Sequence, residues 1–233
     1  MNKFPNIMIS QEYSINPNSK TPHSLDSFVY DYINSAGIKD NIKIEINYSL
    51  RAHVLPIRQM TFATDSFAAD FQVTTLSPME IYATKTVALL TRAAARDLYD
   101  MNYMIRYGLF DESETEWYRK CIVFYLAIAT MTPPVELSLN ALDTITPYKI
   151  RTDLYPVIRD KDSFNLESAK KTVTEYLTDT VKFSEKERQF LKKFEAGFYH
   201  PELLFDDDDI INKLKKHPMA LWKTAKARRA QEI

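Results

Sequence analysis

Branched aliphatic and polar residues alternate along residues 42–47, Ile-Lys-Ile-Glu-Ile-Asn. A period of two over this length predicts a half-buried β-strand, in which Glu45 is flanked by isoleucines. Residues 24–35 are predicted to form a helix that Gly37 ends, and residues 1–20, rich in Asn, Pro and Ser, are predicted to form an irregular arm.

Two shorter segments that follow this strand also favour extended structure. Residues 52–57 either continue the strand or bend into another one, and Pro56 limits them to an edge or an end of a sheet. Residues 67–73 predict a short strand that leads into a helix.

The clearest helical pattern covers residues 77–100. Ser77, Pro78 and Glu80 form a start signal: a hydroxyl N-cap, a proline at the first helical position and a carboxylate at the third. At 100° per residue this segment predicts one long helix with two distinct faces. The apolar face consists of Ala83, Val87, Leu90, Ala94, Leu98 and Met101. The opposite face carries Lys85, Arg92 and Arg96, with Asp100 at its edge and Asp97 between the two faces.

Three cations on one helix face repel each other, so this stripe indicates that an anion is held there. A solvated face is the alternative interpretation. Solvated faces usually mix both signs of charge at i,i+4 spacing, whereas this stripe is cationic until its end.

After Gly108 the chain reads as helical. Helices are predicted over residues 113–131, 163–178 and 184–197. Ser184 and Glu187 have the spacing of a capping box, and Ser163 is a candidate N-cap. The acidic run at residues 206–209 precedes an apolar and basic segment, so N-capping explains it better than metal binding does.

Composition narrows the class of protein. Of the 233 residues, 45% are hydrophobic and 26% charged, as in an ordinary soluble globular protein, and the net charge of −1 gives no general attraction to nucleic acid or membrane. No stretch is apolar over the length of a membrane helix. The single cysteine, Cys121, lies in an apolar segment and cannot form a disulfide within the chain, so a cytoplasmic location is expected.

The segments Glu80-Ile-Tyr-Ala-Thr-Lys85, Ala88-Leu-Leu-Thr-Arg92 and Arg96-Asp-Leu-Tyr-Asp100, in this order, resemble the signature helix of the AbiEii/AbiGii-type nucleotidyltransferase toxins. In that family the helix follows a strand that carries one acidic residue, and Glu45 matches this position. The resemblance implies an α+β fold: a truncated nucleotidyltransferase-like mixed sheet with helices over residues 1–107, followed by a C-terminal helical bundle over residues 108–233.

The resemblance also assigns roles by position. Lys85 would bind the triphosphate of a nucleoside triphosphate, and Glu45 would be a ligand of Mg²⁺ or a base. Arg92 and Arg96 would either bind phosphate or brace the site through Asp97 or Asp100, and these two aspartates would position Lys85 or take part in the chemistry. His53, beside Arg51, follows the Glu45 strand closely enough to support the same site, although a structural hydrogen bond is the commoner role of a lone histidine.

The family's first motif has no counterpart in this sequence. In proteins of this family the N-terminal part contains a Gly-Gly or Gly-Ser turn, which binds the phosphates, followed by an Asp-x-Asp pair, which binds divalent metal. Gly37, Gly108 and Gly197 adjoin neither Gly nor Ser, and no Asp-x-Asp precedes Glu45. The chain is therefore expected to begin after that motif. Because carboxylates hold the metal ions that nucleotidyl transfer needs, catalysis by this chain alone is not expected.

Three hypotheses remain open from the sequence. The chain is a nucleotidyltransferase toxin, with an RNA acceptor, a cognate antitoxin and, where needed, a complementing N-terminal polypeptide as partners. Alternatively it is an inactive remnant that still binds nucleotide or RNA through the cationic stripe. The third hypothesis is a structural or protein-binding module whose cations only pair with acidic neighbours.

Overall fold

The computed structural model describes residues 4–21, 25–48, 50, 52–61, 71–108, 111–159 and 164–231. The chain divides into two compact units, Met1–Arg51 and Ala52–Ile233. Helices and antiparallel sheets are both present, which confirms the predicted α+β class and the helical C-terminal part. The domain boundary predicted between residues 107 and 108 stays a prediction.

The first unit is built on a three-stranded antiparallel sheet of order β1-β2-β3. Its elements are α1 (Phe4–Ser10), β1 (Ser14–Ile15), β2 (Leu25–Ile33) and β3 (Lys39–Asn47). The turn between β2 and β3 needs the left-handed backbone of Gly37, with φ of 73°. The side-chain oxygen of Asn34 accepts hydrogen bonds from the backbone N–H groups of Ala36 and Ile38 and holds this turn closed.

Two predictions for this unit were wrong. Residues 25–33 form a strand and not a helix, because aromatic and β-branched residues fill the segment and its alternate side chains reach opposite faces of the sheet. Phe28 and Tyr30 are buried on one face, opposite Ile44 and Ile42 of β3. The arm predicted for residues 1–20 contains α1 and β1. The strand predicted over residues 42–47 is confirmed as part of β3.

The second unit begins with a small hairpin and continues as packed helices. The hairpin strands are β4 (Arg58–Thr61) and β5 (Gln72–Thr75), which pair antiparallel. Residues 52–57 form bends and coil, so the strand predicted for them was wrong. Of the strand predicted over residues 67–73, the part up to residue 70 lies outside the described residues.

The core of this unit is formed by packed helices. The helices are α2 (Pro78–Arg92), α3 (Ala95–Arg106), α4 (Glu112–Ala129), α5 (Pro147–Lys149), α6 (Leu166–Thr180), α7 (Glu185–Glu195), α8 (Asp208–Leu214) and α9 (Pro218–Gln231). Helix α2 packs on α4, and α3 packs on α6. Cys121 and its neighbours on α4 are buried, as predicted.

Local capping signals in the C-terminal part are confirmed. The hydroxyl of Ser184 accepts from the N–H of Glu187, and the Glu187 carboxylate accepts from the N–H of Ser184. The carboxylate of Asp207 accepts from the N–H of Ile210 and caps α8. Asn165 caps α6, and Ser163, the predicted cap, lies outside the described residues.

Candidate functional site

The segment predicted as one long helix is a helical hairpin. Helix α2 ends at Arg92, Ala93 takes a left-handed backbone with φ of 48°, and α3 begins at Ala95. We call residues 78–106 the α2–α3 hairpin. The prediction failed because consecutive alanines have the highest intrinsic helix propensity, and tertiary packing overrides it here at a cost of about 1 kcal/mol for the left-handed alanine.

Two contacts show that α3 folds back along α2. The Lys85 ammonium lies 2.5 Å from the Asp100 carboxylate, and the hydroxyl of Thr86 lies 3.2 Å from the sulfur of Met101. In a continuous helix Lys85 and Asp100 would be separated by about 22 Å along the axis. The three predicted cations therefore do not form one straight stripe.

Lys85 and Asp100 form a half-exposed ion pair. Their side chains retain 40% and 38% of their accessible surface. The ammonium has three N–H donors, and one of them is directed at Asp100. Asp100 thereby holds Lys85 in one orientation while the remaining donors stay available at the surface.

Arg92 and Asp97 form the second pair, across the break between the helices. Nε and Nη2 of Arg92 donate to the two oxygens of Asp97 at 2.8 and 2.6 Å, the bidentate arrangement that guanidinium and carboxylate favour. This hydrogen bonding raises the pKa of Arg92. The Asp97 side chain is only 5% exposed, whereas that of Arg92 is 67% exposed. The pair is therefore a surface cation anchored to a buried carboxylate.

Arg96 differs from the other two cations. It lies exposed in the first turn of α3, and in the described part of the chain it forms no salt bridge. Among Lys85, Arg92, Arg96, Asp97 and Asp100, one positive charge is thus left uncompensated. The pairs also show that part of the cationic pattern has a structural role, which was one of the alternatives that the sequence left open.

Glu45, predicted as a metal ligand, lies in β3 of the first unit. Its side chain is 46% exposed, and its carboxylate lies 2.7 Å from the ammonium of Lys43 on the same strand. No group of three or more His, Cys, Asp or Glu side chains with metal-binding geometry occurs among the residues that the structure describes. These residues by themselves therefore do not fit a Mg²⁺ site.

His53 occupies a structural position in the second unit. Its Nδ1 lies 2.6 Å from the carbonyl oxygen of Leu55. The ammonium of Lys213 lies 2.8 Å from Nδ1 and 3.2 Å from Nε2 of the same ring. Burial lowers the pKa of Lys213. Arg51, predicted beside His53, lies outside the described residues.

Glu80 has a larger role than the predicted helix-start signal. Its fully buried carboxylate accepts hydrogen bonds from the backbone N–H groups of Val54 and Leu55, at 2.6 and 2.9 Å, and from the hydroxyl of Tyr125. The pKa of Tyr125 is raised, mainly because the hydroxyl is buried and secondly because the negative charge of Glu80 lies beside it. Glu80 thus ties residues 54–55 to α2 and α4.

A signal for this role was present in the sequence. Glu80 stands three residues before Ala83 and seven before Val87, so it belongs to the buried stripe of α2. Ser77 is the N-cap residue, as predicted, but its side chain makes no capping hydrogen bond. Pro78 occupies the predicted first helical position.

Comparison with known proteins identifies a family whose model matches most of the chain. The family model described as "Nucleotidyl transferase AbiEii toxin, Type IV TA system" matches residues 9–198, which include β2, β3 and the whole α2–α3 hairpin. No curated protein and no solved structure matches the chain.

Proposed function

The chain belongs to the AbiEii nucleotidyltransferase toxin family, and on this premise we propose that it binds a nucleoside triphosphate and takes part in transferring a nucleotide to an RNA acceptor. The triphosphate would bind on the α2–α3 hairpin. The observation that carries this proposal is the oriented, half-exposed ammonium of Lys85.

Lys85 combines a fixed orientation with free binding capacity. Asp100 engages one of its three donors, so two N–H groups remain for phosphate oxygens. A triphosphate oxygen can approach the ammonium without displacing Asp100. This arrangement reduces the side-chain entropy that binding would otherwise cost.

The two arginines add donors at the turn of the hairpin. Arg92 directs two of its five N–H groups at Asp97 and retains three, and Arg96 is exposed. Seven residues separate Lys85 from Arg92, a rise of about 10 Å along α2. We propose that Lys85 binds the triphosphate and that Arg92 and Arg96 contact further phosphate groups of the nucleotide or of the RNA.

Transfer requires metal-binding carboxylates besides this surface. The family resemblance assigns them to an Asp-x-Asp pair, which this sequence lacks ahead of Glu45. We propose that a second polypeptide supplies the pair when transfer occurs.

The family description implies a toxin–antitoxin system, so a cognate antitoxin is a proposed partner. No helix in the described ranges has the length and apolarity that crossing a membrane requires. The cytoplasm is the proposed compartment, and the buried, unpaired Cys121 is compatible with it.

A second candidate function is favoured by the closed ion pairs. Lys85 and Arg92 already have carboxylate partners, so the hairpin is also suited to a non-catalytic module that binds nucleotide, RNA or protein. In this case phosphate binding would persist and nucleotide transfer would be absent.

Calorimetric titration of the purified chain with each nucleoside triphosphate and Mg²⁺ tests the binding step. We expect saturable binding to at least one triphosphate, weakened at least tenfold by Lys85→Ala. Lys171→Ala is the matched control, because Lys171 is also a helical lysine paired with a carboxylate, Glu175, but on α6. Binding that is absent, or equal in both variants, would refute the proposed site.

RNA labelling with α-³²P nucleotides then separates the two candidates. Incorporation that requires the chain, Mg²⁺ and a supplied Asp-x-Asp polypeptide supports transfer. Lys85-dependent binding without incorporation under any of these combinations supports the binding module.

A further inference from the structure

Strand β3 forms one edge of the sheet in the first unit. It pairs with β2 on one side, and in the described part of the chain it has no strand on the other. The N–H of Asn41 donates to the carboxylate of Asp40 on its own strand, at 2.7 Å, as expected of a donor on an open edge. Because donors alternate along a strand, Lys43 and Glu45 also direct their backbone groups toward this edge.

The side chains of β3 are accessible over the same segment. Ile42 is 41% exposed, and the side chains of Lys43 and Glu45 are 55% and 46% exposed. Open edges with accessible apolar residues are templates for further strand pairing. A partner strand would satisfy the outward backbone groups and cover the isoleucines together.

We propose that β3 pairs with β3 of a second copy of this chain, antiparallel and centred on Ile44. In this register Lys43 faces Glu45 of the second copy, and Glu45 faces its Lys43. The Lys43–Glu45 pair within each of the two strands would be lost, and two Lys43–Glu45 pairs between the strands would replace them. Ile42 would face Ile46 of the other copy on the opposite surface of the joined sheet.

Charge selects this register over its neighbours. A shift that centres the pairing on Lys43 places two lysines opposite each other, and a shift that centres it on Glu45 places two glutamates opposite each other. Like charges directly opposite on paired strands are destabilising. A shift that sets Lys43 opposite an isoleucine would mix the charged and apolar surfaces of the strand.

The backbone geometry agrees with the charge pattern. Lys43 and Glu45 direct both N–H and C=O outward, so they would form the hydrogen-bonded pairs. Ile44 would face its own copy across the twofold axis as a non-hydrogen-bonded pair, where the Cα atoms approach to about 4.5 Å. The joined sheet would contain six strands.

Charge exchange tests this proposal in solution with the full chain. By sedimentation velocity, the native protein is expected to dimerise at micromolar concentration, and Lys43→Glu and Glu45→Lys are each expected to weaken dimerisation at least tenfold. An equimolar mixture of these two variants restores both opposite-charge pairs and is expected to dimerise. The double variant K43E/E45K restores the pairs in a homodimer and serves as a second control. Circular dichroism of each variant verifies folding.

Disulfide trapping tests the register independently. In the proposed dimer Ile44→Cys lies beside its copy and is expected to form a disulfide under mild oxidation. Lys39→Cys would lie about 34 Å from its copy, given about 3.4 Å per residue, and is expected not to cross-link. The native Cys121 is buried and does not compete.

A native chain that stays monomeric at 200 µM, or a dimer unaffected by the single charge variants, would overturn the proposal. A Lys39→Cys cross-link as efficient as that of Ile44→Cys would also overturn it.

Discussion

Replacing Glu80 by alanine would remove the acceptor that holds residues 54–55 on the helical core. Two buried backbone N–H groups and the hydroxyl of Tyr125 would lose their partner. A buried donor left unsatisfied costs about 1–3 kcal/mol. With water entering part of the vacated space, we expect Glu80→Ala to lower the free energy of unfolding by about 4 kcal/mol.

Two milder substitutions separate the contributions of the individual hydrogen bonds to Glu80. Tyr125→Phe removes one donor and its bond together and is expected to cost about 1–1.5 kcal/mol. Glu80→Gln keeps one carbonyl oxygen but turns an NH₂ group toward a backbone donor, so we expect an intermediate cost of about 2 kcal/mol. The effect of Tyr125→Phe should nearly vanish in the Glu80→Ala background, because the bond is already lost there.

Urea unfolding followed by tryptophan fluorescence is a suitable assay. Both tryptophans of the chain, Trp117 and Trp222, belong to the unit that contains Glu80. Glu175→Ala is the control, since its ion pair with Lys171 is exposed and is expected to contribute less than about 0.5 kcal/mol. A Glu80→Ala variant within 1 kcal/mol of the native protein, with an unchanged m value, would refute the structural role of this carboxylate.

Three other predictions follow from buried or strained positions and can use the same urea assay. Arg92→Ala should destabilise the protein by about 1–2 kcal/mol more than Asp97→Ala does. Arg92→Ala leaves the buried Asp97 carboxylate unpaired, whereas Asp97→Ala leaves an exposed guanidinium that water can solvate. Equal losses of stability in the two variants would contradict this prediction. Gly197→Ala should lower the free energy of unfolding by about 2 kcal/mol more than Gly37→Ala does. Both glycines have positive φ, but only at residue 197 would a new Cβ collide with a side chain, that of Arg228. Equal losses would show that the Arg228 side chain moves aside freely. Burial lowers the pKa of His217, so the unfolded chain binds a proton at this residue more strongly than the folded chain does, and stability should fall as the pH drops below about 6.5. His217→Asn keeps an acceptor at the start of α9 and should reduce this loss of stability. An unchanged dependence of stability on pH in this variant would contradict the prediction.

The elements that were predicted correctly carry local signals that packing does not oppose. The capping box at Ser184 and Glu187 defines the start of α7, and Asp207 caps α8. The alternation of residues 42–47 agrees with the pairing of β3. In each case the local preference and the tertiary environment favour the same structure.

The errors occurred where tertiary packing decided the outcome. Residues 24–33 contain polar and apolar residues at spacings that also suit a helix, and pairing with β3 determines the strand. The alanines at 93–95 favour a helix, and nothing local indicates the left-handed residue that ends α2. The charge pattern of the hairpin was visible in the sequence. Asp97 and Asp100 were expected to pair with these cations, but the sequence did not indicate which acid pairs with which cation, because Lys85 and Asp100 meet only when the chain reverses direction.

The reversal at Ala93 and Ala94 makes insertions and deletions more consequential in this segment than most substitutions. One residue inserted between Asp97 and Asp100 would rotate Asp100 by about 100° around α3 and leave Asp97 in place. The carboxylate would then point away from Lys85, although no residue of the motif had changed its identity. The distance in sequence between the two acids is therefore itself part of the motif.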